Sequence, residues 1–450
     1  MSGFNVQPIS GFPEFLPGEQ ITFNRVVDVI RKGFERSGAV PIETPAVERI
    51  ETLSTAKGNI SKEVYGLRRL RAEEGDDGKD LALHFDLTVP LARYVSQHSN
   101  DLAFPFRRYQ IQPVWRGERA QSGRYRQFYQ CDIDVIGDGE LSLLNDAEMP
   151  FVIYQIFKEL NIGHFHIKIN NRKILQGFLL NSGVAQEEIQ NVIGIVDAIE
   201  KVGISQVREQ LSQANLTDEA INSILEFFSM KASSDELINY LTALNIEGEF
   251  ATGLDELTTV LKGIDMLGVP SDYYGVDLSM VRGLDYYTGT IYETRLTGHA
   301  GIGSICSGGR YEDLASNFAG KKYPGVGISI GLTRLLPKLF EMGVIKPSKP
   351  TVTSVLVMSL EKDRQQEYLR IGGLLRNAGI NTEVYLEDKK LAVQMKYANK
   401  KGIPFIVIIG QEEFENNVAL IRSMEDGEQQ RVLIDELVPK LQILLENEAM

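Results

Sequence analysis

Six arginines crowd one short stretch of an acidic chain. Arg107, Arg108, Arg116, Arg119, Arg124 and Arg126 lie between Phe104 and Gly137, whereas the 450-residue protein carries a formal net charge of -14. Guanidinium groups gathered against that background fit a compact polyanion, most simply a nucleotide or the end of a nucleic acid. Each offers phosphate oxygens a planar fork of donors. The surrounding sequence, FPFRRYQIQPVWRGERAQSGRYRQFYQCDIDVIG, alternates apolar and polar residues around a Gly-containing loop and predicts an antiparallel hairpin.

Residues two apart share a face of a strand. Gln110, Gln112 and Arg116 therefore project together, as do Gln130 and Asp134. Tyr109, Ile111, Trp115, Tyr129, Cys131, Ile133 and Val135 occupy the opposite faces and read as core. The polar set suits a small ligand lying on a sheet. It also describes a solvated sheet face with surface ion pairs, and parity alone does not choose between the two.

The elements that must position this hairpin follow from periodicity. A helix is predicted from Gln20 to Arg36 on the stripe Val26, Val29, Ile30 and Phe34, then a short strand to Pro45. Residues 81–86 read as a strand, and Asp86-Leu87-Thr88-Val89-Pro90 as the start of a helix. Beyond the hairpin the pattern is helical to Leu160, followed by a strand from His164 to Ile169. Short helical segments broken by Asn, Ser and Gly run from Leu180 to Glu249, so a helical module is expected over 180–249. A helix over Leu254 to Leu267 leads to a second β region, Met280–Glu293 and His299–Arg310. Gly325, Gly327 and Gly331 then precede a helix bearing Arg334; their spacing is not GxGxxG, which argues against a dinucleotide site. The stretch 342–350, MGVIKPSKP, reads as a linker. From 351 to 450, TSVLVMSL, a helix from Glu361, TEVYL, a helix from Asp388, FIVIIG and a last helix from Leu433 predict an α/β domain.

Composition narrows the class. No apolar run reaches membrane-spanning length, and MSGFNVQPIS has neither the basic nor the apolar region that directs export, so no membrane partner is expected. Cys131 and Cys306 form no CxxC pair, which fits a reducing cytoplasm. His164 and His166 would share a strand face without a third ligand and read as structural, so no metal site is expected. The negative charge argues against indiscriminate nucleic-acid binding, while local basic patches still permit a specific RNA partner.

Several motifs together resemble histidyl-tRNA synthetases, a family of class II aminoacyl-tRNA synthetases. Val281-Arg282-Gly283-Leu284-Asp285-Tyr286-Tyr287-Thr288-Gly289-Thr290 resembles that family's own signature. Arg116-Gly117-Glu118-Arg119 resembles class II motif 2, GVGISIGLTRL over 325–335 resembles motif 3, and the helix over 20–36 with its following strand resembles motif 1. The resemblance covers essentially the whole chain. It implies an α/β protein whose α+β catalytic domain is a class II antiparallel sheet flanked by helices, formed by 1–179 and 250–341. A helical insertion over 180–249, the linker 342–350 and an α/β anticodon-binding domain over 351–450 complete it. A homodimer is implied by the motif 1 resemblance.

The implied reaction has two steps: L-histidine attacks the α-phosphorus of ATP, and the adenylate then acylates the 3' end of tRNA(His). By resemblance, Arg116 binds the α-phosphate, Arg282 approaches it from the other side in place of a divalent ion, and Arg334 takes the γ-phosphate. Glu118 holds the adenine amino group and Arg124 meets the triphosphate or adenine. Mg²⁺ accompanies the β- and γ-phosphates. Asp86, Thr88 and Gln130 would hold the α-amino group, and helix N-capping is a second role for Asp86 and Thr88. Asp134, which is Glu in some members, and the pair Tyr286 and Tyr287 would read the imidazole. Ser307-Gly308-Gly309-Arg310-Tyr311 resembles a turn that closes this pocket. Arg119 and Gln121 would contact the tRNA acceptor end. In 351–450, 12 basic residues stand against 16 acidic ones, so any tRNA contact there rests on a local stripe, Lys389, Lys396 and Lys400. A non-catalytic synthetase-like regulatory subunit of ATP phosphoribosyltransferase is the rival. It would lack the signature arginine and the C-terminal domain, and both are present here.

Overall fold

In the computed structural model, which describes residues 4–54, 63–70, 80–119, 123–214, 216–281, 287–312, 318 and 320–449, the alternation of 104–137 closes into the expected hairpin. Strands Phe106–Trp115 and Gln127–Ile136 pair in unbroken antiparallel register, from Phe106 opposite Ile136 to Trp115 opposite Gln127. Both faces are buried. Cys131, Ile133 and Val135 are at most 1% exposed, and Arg108, Gln110, Asp132 and Asp134 at most 3%. The polar face is therefore buried, which removes the solvated-face reading and makes an unpartnered polar group on it costly.

The chain divides into two units, Met1–Glu14 with Val26–Ile345, and Phe15–Arg25 with Lys346–Met450. In the first, the hairpin joins an eight-stranded sheet. Its order is Val40–Pro41, Phe106–Trp115, Gln127–Ile136, Gly325–Gly331, Ser304–Tyr311, Thr290–Leu296, Phe165–Asn171 and Tyr274–Val276. The interior pairings are antiparallel, and only the two edge pairings are parallel. One face carries Ile133, Ile328, Cys306 and Phe165 and is covered by the helix Leu144–Leu160. Phe157 meets Phe165 edge-on at 5.3 Å between ring centroids, and the Tyr292 hydroxyl donates to the Asp146 carbonyl at 2.8 Å. The other face carries two cross-strand polar rows fixed by register. One runs Glu293, Ser307, Ser329, Asp132, Gln110; the next runs Ile291, Gly309, Gly327, Asp134, Arg108.

The first helix, Pro17–Arg36, buries Phe23, Val26, Ile30 and Phe34 at helical spacing. Between residues 186 and 243 the described elements are all helical, packed around Val207, Leu211, Ile224, Phe227 and Leu241. Two of these helices begin at side-chain caps: Thr217 accepts from Ala220 N, and Ser233 forms a capping box with Glu236.

The second unit holds a five-stranded sheet ordered Thr382–Val384, Val355–Val357, Phe405–Ile408, Val418–Ser423, Gln429–Leu433. Its first three strands are parallel and its last two antiparallel. The Tyr368 hydroxyl donates to the Ile409 carbonyl at 2.7 Å inside this core. Among the described residues, no helix is long and apolar enough to cross a membrane.

Three expectations change. Ser307–Tyr311 is not a turn but part of the central strand Ser304–Tyr311; Gly308 and Gly309 there admit neighbouring backbone. The hairpin of Val418–Ser423 and Gln429–Leu433 precedes the last helix, which starts at Leu437 rather than Leu433. Its outer strand, QQRVL, is a half-exposed edge with little strand propensity. The helix expected from Leu254 begins at Glu249 and runs to Met266.

Candidate active site

A cavity of ≈ 680 Å³ opens over the polar rows of the larger sheet. Nine residues singled out in the sequence line it together: Asp86, Thr88, Arg116, Glu118, Arg124, Gln130, Asp134, Tyr287 and Arg334. They come from four parts of the chain, so the fold rather than sequence proximity assembles them. Arg282, Tyr286 and Gln121 lie outside the described residues. Arg119 is exposed and is not part of the lining.

The lining holds a group of buried acids. Asp86 sits just before the helix Thr88–His98, and its Oδ1 accepts from Val89 N of the first turn at 3.1 Å, while Leu87 occupies the N-cap position. Its Oδ2 is buried without a hydrogen-bond partner among the described residues. Burial pushes its carboxyl up to about 6, against the pull of Val89 N, Arg116 and Arg108. Gln130 donates through Nε2 to Ser329 Oγ at 2.7 Å and leaves Oε1 likewise unpartnered. Asp134 is more occupied: Oδ2 lies 2.7 Å from Arg108 Nη2, and Oδ1 accepts from the Tyr311 hydroxyl at 2.9 Å. Burial raises its carboxyl, while Arg108 and then the Tyr311 hydroxyl oppose the rise. Gly327 stands beneath it; a Cβ there would come 2.2 Å from Asp134 Oδ1, so only glycine leaves the carboxylate room.

The strand parity contained a residue passed over in the sequence. Asp132 lies between Gln130 and Asp134 on the same face, is 2% exposed and lines the cavity. Burial pushes its carboxyl up to about 7, with Asp134 and Asp86 adding to the rise and Arg108 and Ser329 opposing it. Its Oδ1 has no hydrogen-bond partner among the described residues. Conversely, Gln110 and Gln112 share the face but serve packing: Gln110 donates to Thr44 Oγ1 at 2.9 Å and Gln112 to the Thr44 carbonyl at 3.2 Å.

The same lining holds guanidinium groups. Arg116 is held by a bond from Nε to the Phe85 carbonyl at 3.1 Å and lies over the Phe128 ring, 5.1 Å from its centroid. Arg334 occupies the first turn of the helix Leu332–Glu341 and donates through Nε to the Ile302 carbonyl at 3.2 Å. Gly303 gives it passage, since a Cβ there would sit 2.6 Å from Arg334 Nη2. Burial lowers the Arg334 pKa, and the neighbouring Arg124 lowers it further. Arg124 itself is 53% exposed at 3.4 Å from Glu118. Arg107, by contrast, is bound to Glu148 and Asn145 and is not part of the lining. A cavity lined by both buried acids and guanidinium groups complements a ligand pair of which one carries cationic donors and the other phosphate.

In the second unit, Lys396 and Lys400 are exposed on one face of the helix Leu391–Lys401. Lys389 precedes that helix, so the stripe contains two lysines rather than three. Lys401 is tied to Glu383.

Both parts of the chain have known relatives. A family model described as histidyl-tRNA synthetase matches residues 11–335, and one described as an anticodon binding domain matches residues 354–444. The histidine–tRNA ligase of Nostoc punctiforme is 44% identical, with 97% of each chain covered. That of Xanthomonas axonopodis is 46% identical, covering 97% of this chain and 95% of the relative. The crystal structure of histidyl-tRNA synthetase from a Nostoc species superposes with a TM-score of 0.86 at 43% identity, covering 98% of this chain and 99% of that one. A Bacillus halodurans protein described as an ATP phosphoribosyltransferase regulatory subunit/histidyl-tRNA synthetase shares the fold, with a TM-score of 0.73 at 20% identity.

Proposed function

The chain belongs to the histidyl-tRNA synthetase family, and from that premise we propose that its large cavity is where histidine is activated. The overall reaction is the charging of tRNA with histidine, an ATP-consuming ligation. The observation that carries the assignment to this cavity is its lining, which joins unpartnered buried acceptors on Asp86 and Gln130 to the guanidinium groups of Arg116 and Arg334.

The histidine α-ammonium has three donors and lies with Asp86, Thr88 and Gln130; the open oxygens of Asp86 and Gln130 would otherwise remain buried without partners. Asp134, Tyr286 and Tyr287 form the imidazole end. The substrate carboxylate is then turned toward the Arg116 and Arg334 guanidinium groups. A carboxylate oxygen attacks the α-phosphorus of ATP, an in-line displacement that forms the mixed anhydride and expels pyrophosphate. Negative charge then builds on the phosphoryl oxygens. Arg116, fixed by the Phe85 carbonyl and the Phe128 ring, is preorganised to meet it, and Arg282 serves as the second guanidinium at the α-phosphate. Arg334 takes the γ-phosphate, Glu118 the adenine amino group, and Arg124 the triphosphate or adenine. ATP enters with Mg²⁺ on its β- and γ-phosphates. In the second step a terminal ribose hydroxyl of the tRNA attacks the activated carbonyl, and AMP leaves.

Arg119 and Gln121 serve the acceptor end, Lys389, Lys396 and Lys400 the anticodon side, and the helical segment 180–249 the acceptor stem. The catalytic domain comprises 1–179 and 250–341, joined through 342–350 to the anticodon-binding domain 351–450. The enzyme acts as a homodimer in the cytoplasm, a reading supported by family membership and by two free buried thiols. ATP–pyrophosphate exchange with each of the common amino acids tests the assignment. Exchange with histidine alone supports it; silence with every amino acid would leave the regulatory-subunit reading standing.

A further inference from the structure

Arg295 carries no role above and lies outside every stretch that resembles a family motif, yet it lines the cavity together with Arg334. Strand period two sets Glu293 and Arg295 on the face that bears the cavity. The Glu293 side chain is 8% exposed, and its carboxylate is bound by Arg295 Nε; the arginine side chain is 27% exposed. Lys168, directly opposite Glu293 on the next strand, is engaged by Asp277 at 2.6 Å. Arg295 rather than Lys168 is therefore the cation that Glu293 holds.

Strand pairing places that guanidinium. Between Thr294 and Arg295 the register with the neighbouring strand slips, so that Thr294 faces Cys306 and Arg295 faces Ser304. A bulge of this kind bends the strand and re-aims its side chains. Ser304 follows Gly303, the residue that makes way for Arg334. Arg295 and Arg334 are thus neighbours, and the electrostatics agree. Burial lowers the Arg334 pKa first and Arg124 next; Glu293 and Glu118 oppose the fall, and Arg295 adds to it as a further like charge. The guanidinium groups of Arg124, Arg295 and Arg334 line one cavity against the carboxylates of Glu118 and Glu293. Like charges kept this close are unfavourable until a polyanion arrives.

Resting on the reading that Arg334 takes the γ-phosphate of ATP in this cavity, we propose that Arg295, held by Glu293, is a further phosphate-binding residue that grips the pyrophosphate portion of ATP. A guanidinium meets phosphate oxygens through a planar fork of donors. Its carboxylate anchor reduces the side-chain freedom lost when the nucleotide binds. As the bond from the α-phosphorus to the bridging oxygen breaks, the bonding pair stays with that oxygen and the charge of the departing pyrophosphate rises. Arg295 meets that charge beside Arg334.

The test is pyrophosphate exchange by the full-length enzyme. Its control is the inhibition constant of 5'-O-[N-(L-histidyl)sulfamoyl]adenosine, an adenylate mimic that lacks the β- and γ-phosphates. Arg295→Met, which keeps most of the aliphatic stem, is expected to raise KM for ATP and for pyrophosphate about 10- to 100-fold, the range for losing a charged hydrogen bond. KM for histidine and the inhibition constant should hold. Arg295→Lys should recover part of the loss. Unchanged KM values for ATP and pyrophosphate overturn the proposal. So does an equal rise in the inhibition constant, which would make Arg295 a structural partner of Glu293 only. If the methionine variant does not fold, the lysine and glutamine variants are read by the same ratio. An Arg334→Ala enzyme with an unchanged ATP KM would instead defeat the reading on which the proposal rests, a distinguishable outcome.

Discussion

Arg108 and Asp134 stand directly opposite each other on adjacent strands, with Arg108 Nη2 2.7 Å from Asp134 Oδ2 and both side chains at most 5% exposed. Asp134 lines the cavity, and Arg108 fixes its carboxylate. Each charge offsets the other: among the described residues Arg108 otherwise reaches Gln110 and the Leu87 carbonyl, at 3.5 and 3.4 Å.

Removing one member of such a pair strands the other in a low-dielectric site. Arg108→Met is therefore expected to destabilise the protein by about 3–5 kcal/mol, and the double variant with Asp134→Leu by less than that single change. Urea unfolding of the four proteins of the cycle measures this; strictly additive losses would show the two side chains are not coupled. Asp134→Asn alone should raise the histidine KM more than the ATP KM in pyrophosphate exchange, and equal effects on both would remove Asp134 from the amino-acid end.

The buried acids of the cavity also make stability depend on pH. Burial pushes Asp86 up to about 6 and Asp132 to about 7, from an ordinary 3.8. A carboxyl with a higher pKa folded than unfolded holds its proton more tightly in the fold. It favours the fold below its unfolded pKa and loses that contribution as pH rises through its folded pKa. The ligand-free protein should thus lose stability, on the order of a few kcal/mol, between about pH 4 and pH 7. Thermal unfolding across that range checks it against Asp132→Ala, whose decline should be shallower. Parallel curves for the two proteins would mean Asp132 does not carry the effect.

The reach of the sequence can be judged residue by residue. Strand period two placed Gln130 and Asp134 on one face, and register brought Asp134 beside Arg108 as that period requires. The same period marked Asp132, but nothing local distinguishes an acid with open valence from one that packs; Gln110 and Gln112 share its face and are absorbed by Thr44. Which polar residue is left unpartnered depends on neighbours far away in sequence. Ser329 lies about 200 residues from Gln130, and Arg334 enters the cavity only because Gly303 makes way for it. The turn expected at Ser307–Tyr311 failed for a related reason. Gly308 and Gly309 look like turn residues locally, but in the sheet they serve close packing under neighbouring strands.

Arg282 carries the most specific expectation for chemistry. A guanidinium that meets the α-phosphate chiefly in the transition state contributes to kcat more than to substrate binding. Arg282→Ala should lower the rate of histidine-dependent exchange by about 10²-fold or more while leaving the circular dichroism spectrum and unfolding midpoint near those of the parent. Near-normal exchange in a folded variant would exclude that role.

The two units predict separable defects. Lys396 and Lys400 are exposed on one turn-spaced face of the helix Leu391–Lys401, within a region matched by the anticodon-binding family model. The activation cavity is lined wholly by residues of the other unit. Exposed lysines bind phosphate through long-range attraction that salt screens, so reversing both charges should weaken tRNA capture without touching amino-acid chemistry. Lys396→Glu combined with Lys400→Glu is expected to lower kcat/KM for tRNA aminoacylation about tenfold or more at low salt, mostly through KM. The gap from the parent should narrow as salt rises, while pyrophosphate exchange stays unchanged. If exchange falls in step with aminoacylation, the lysines act through folding; if neither moves, this face does not meet the tRNA.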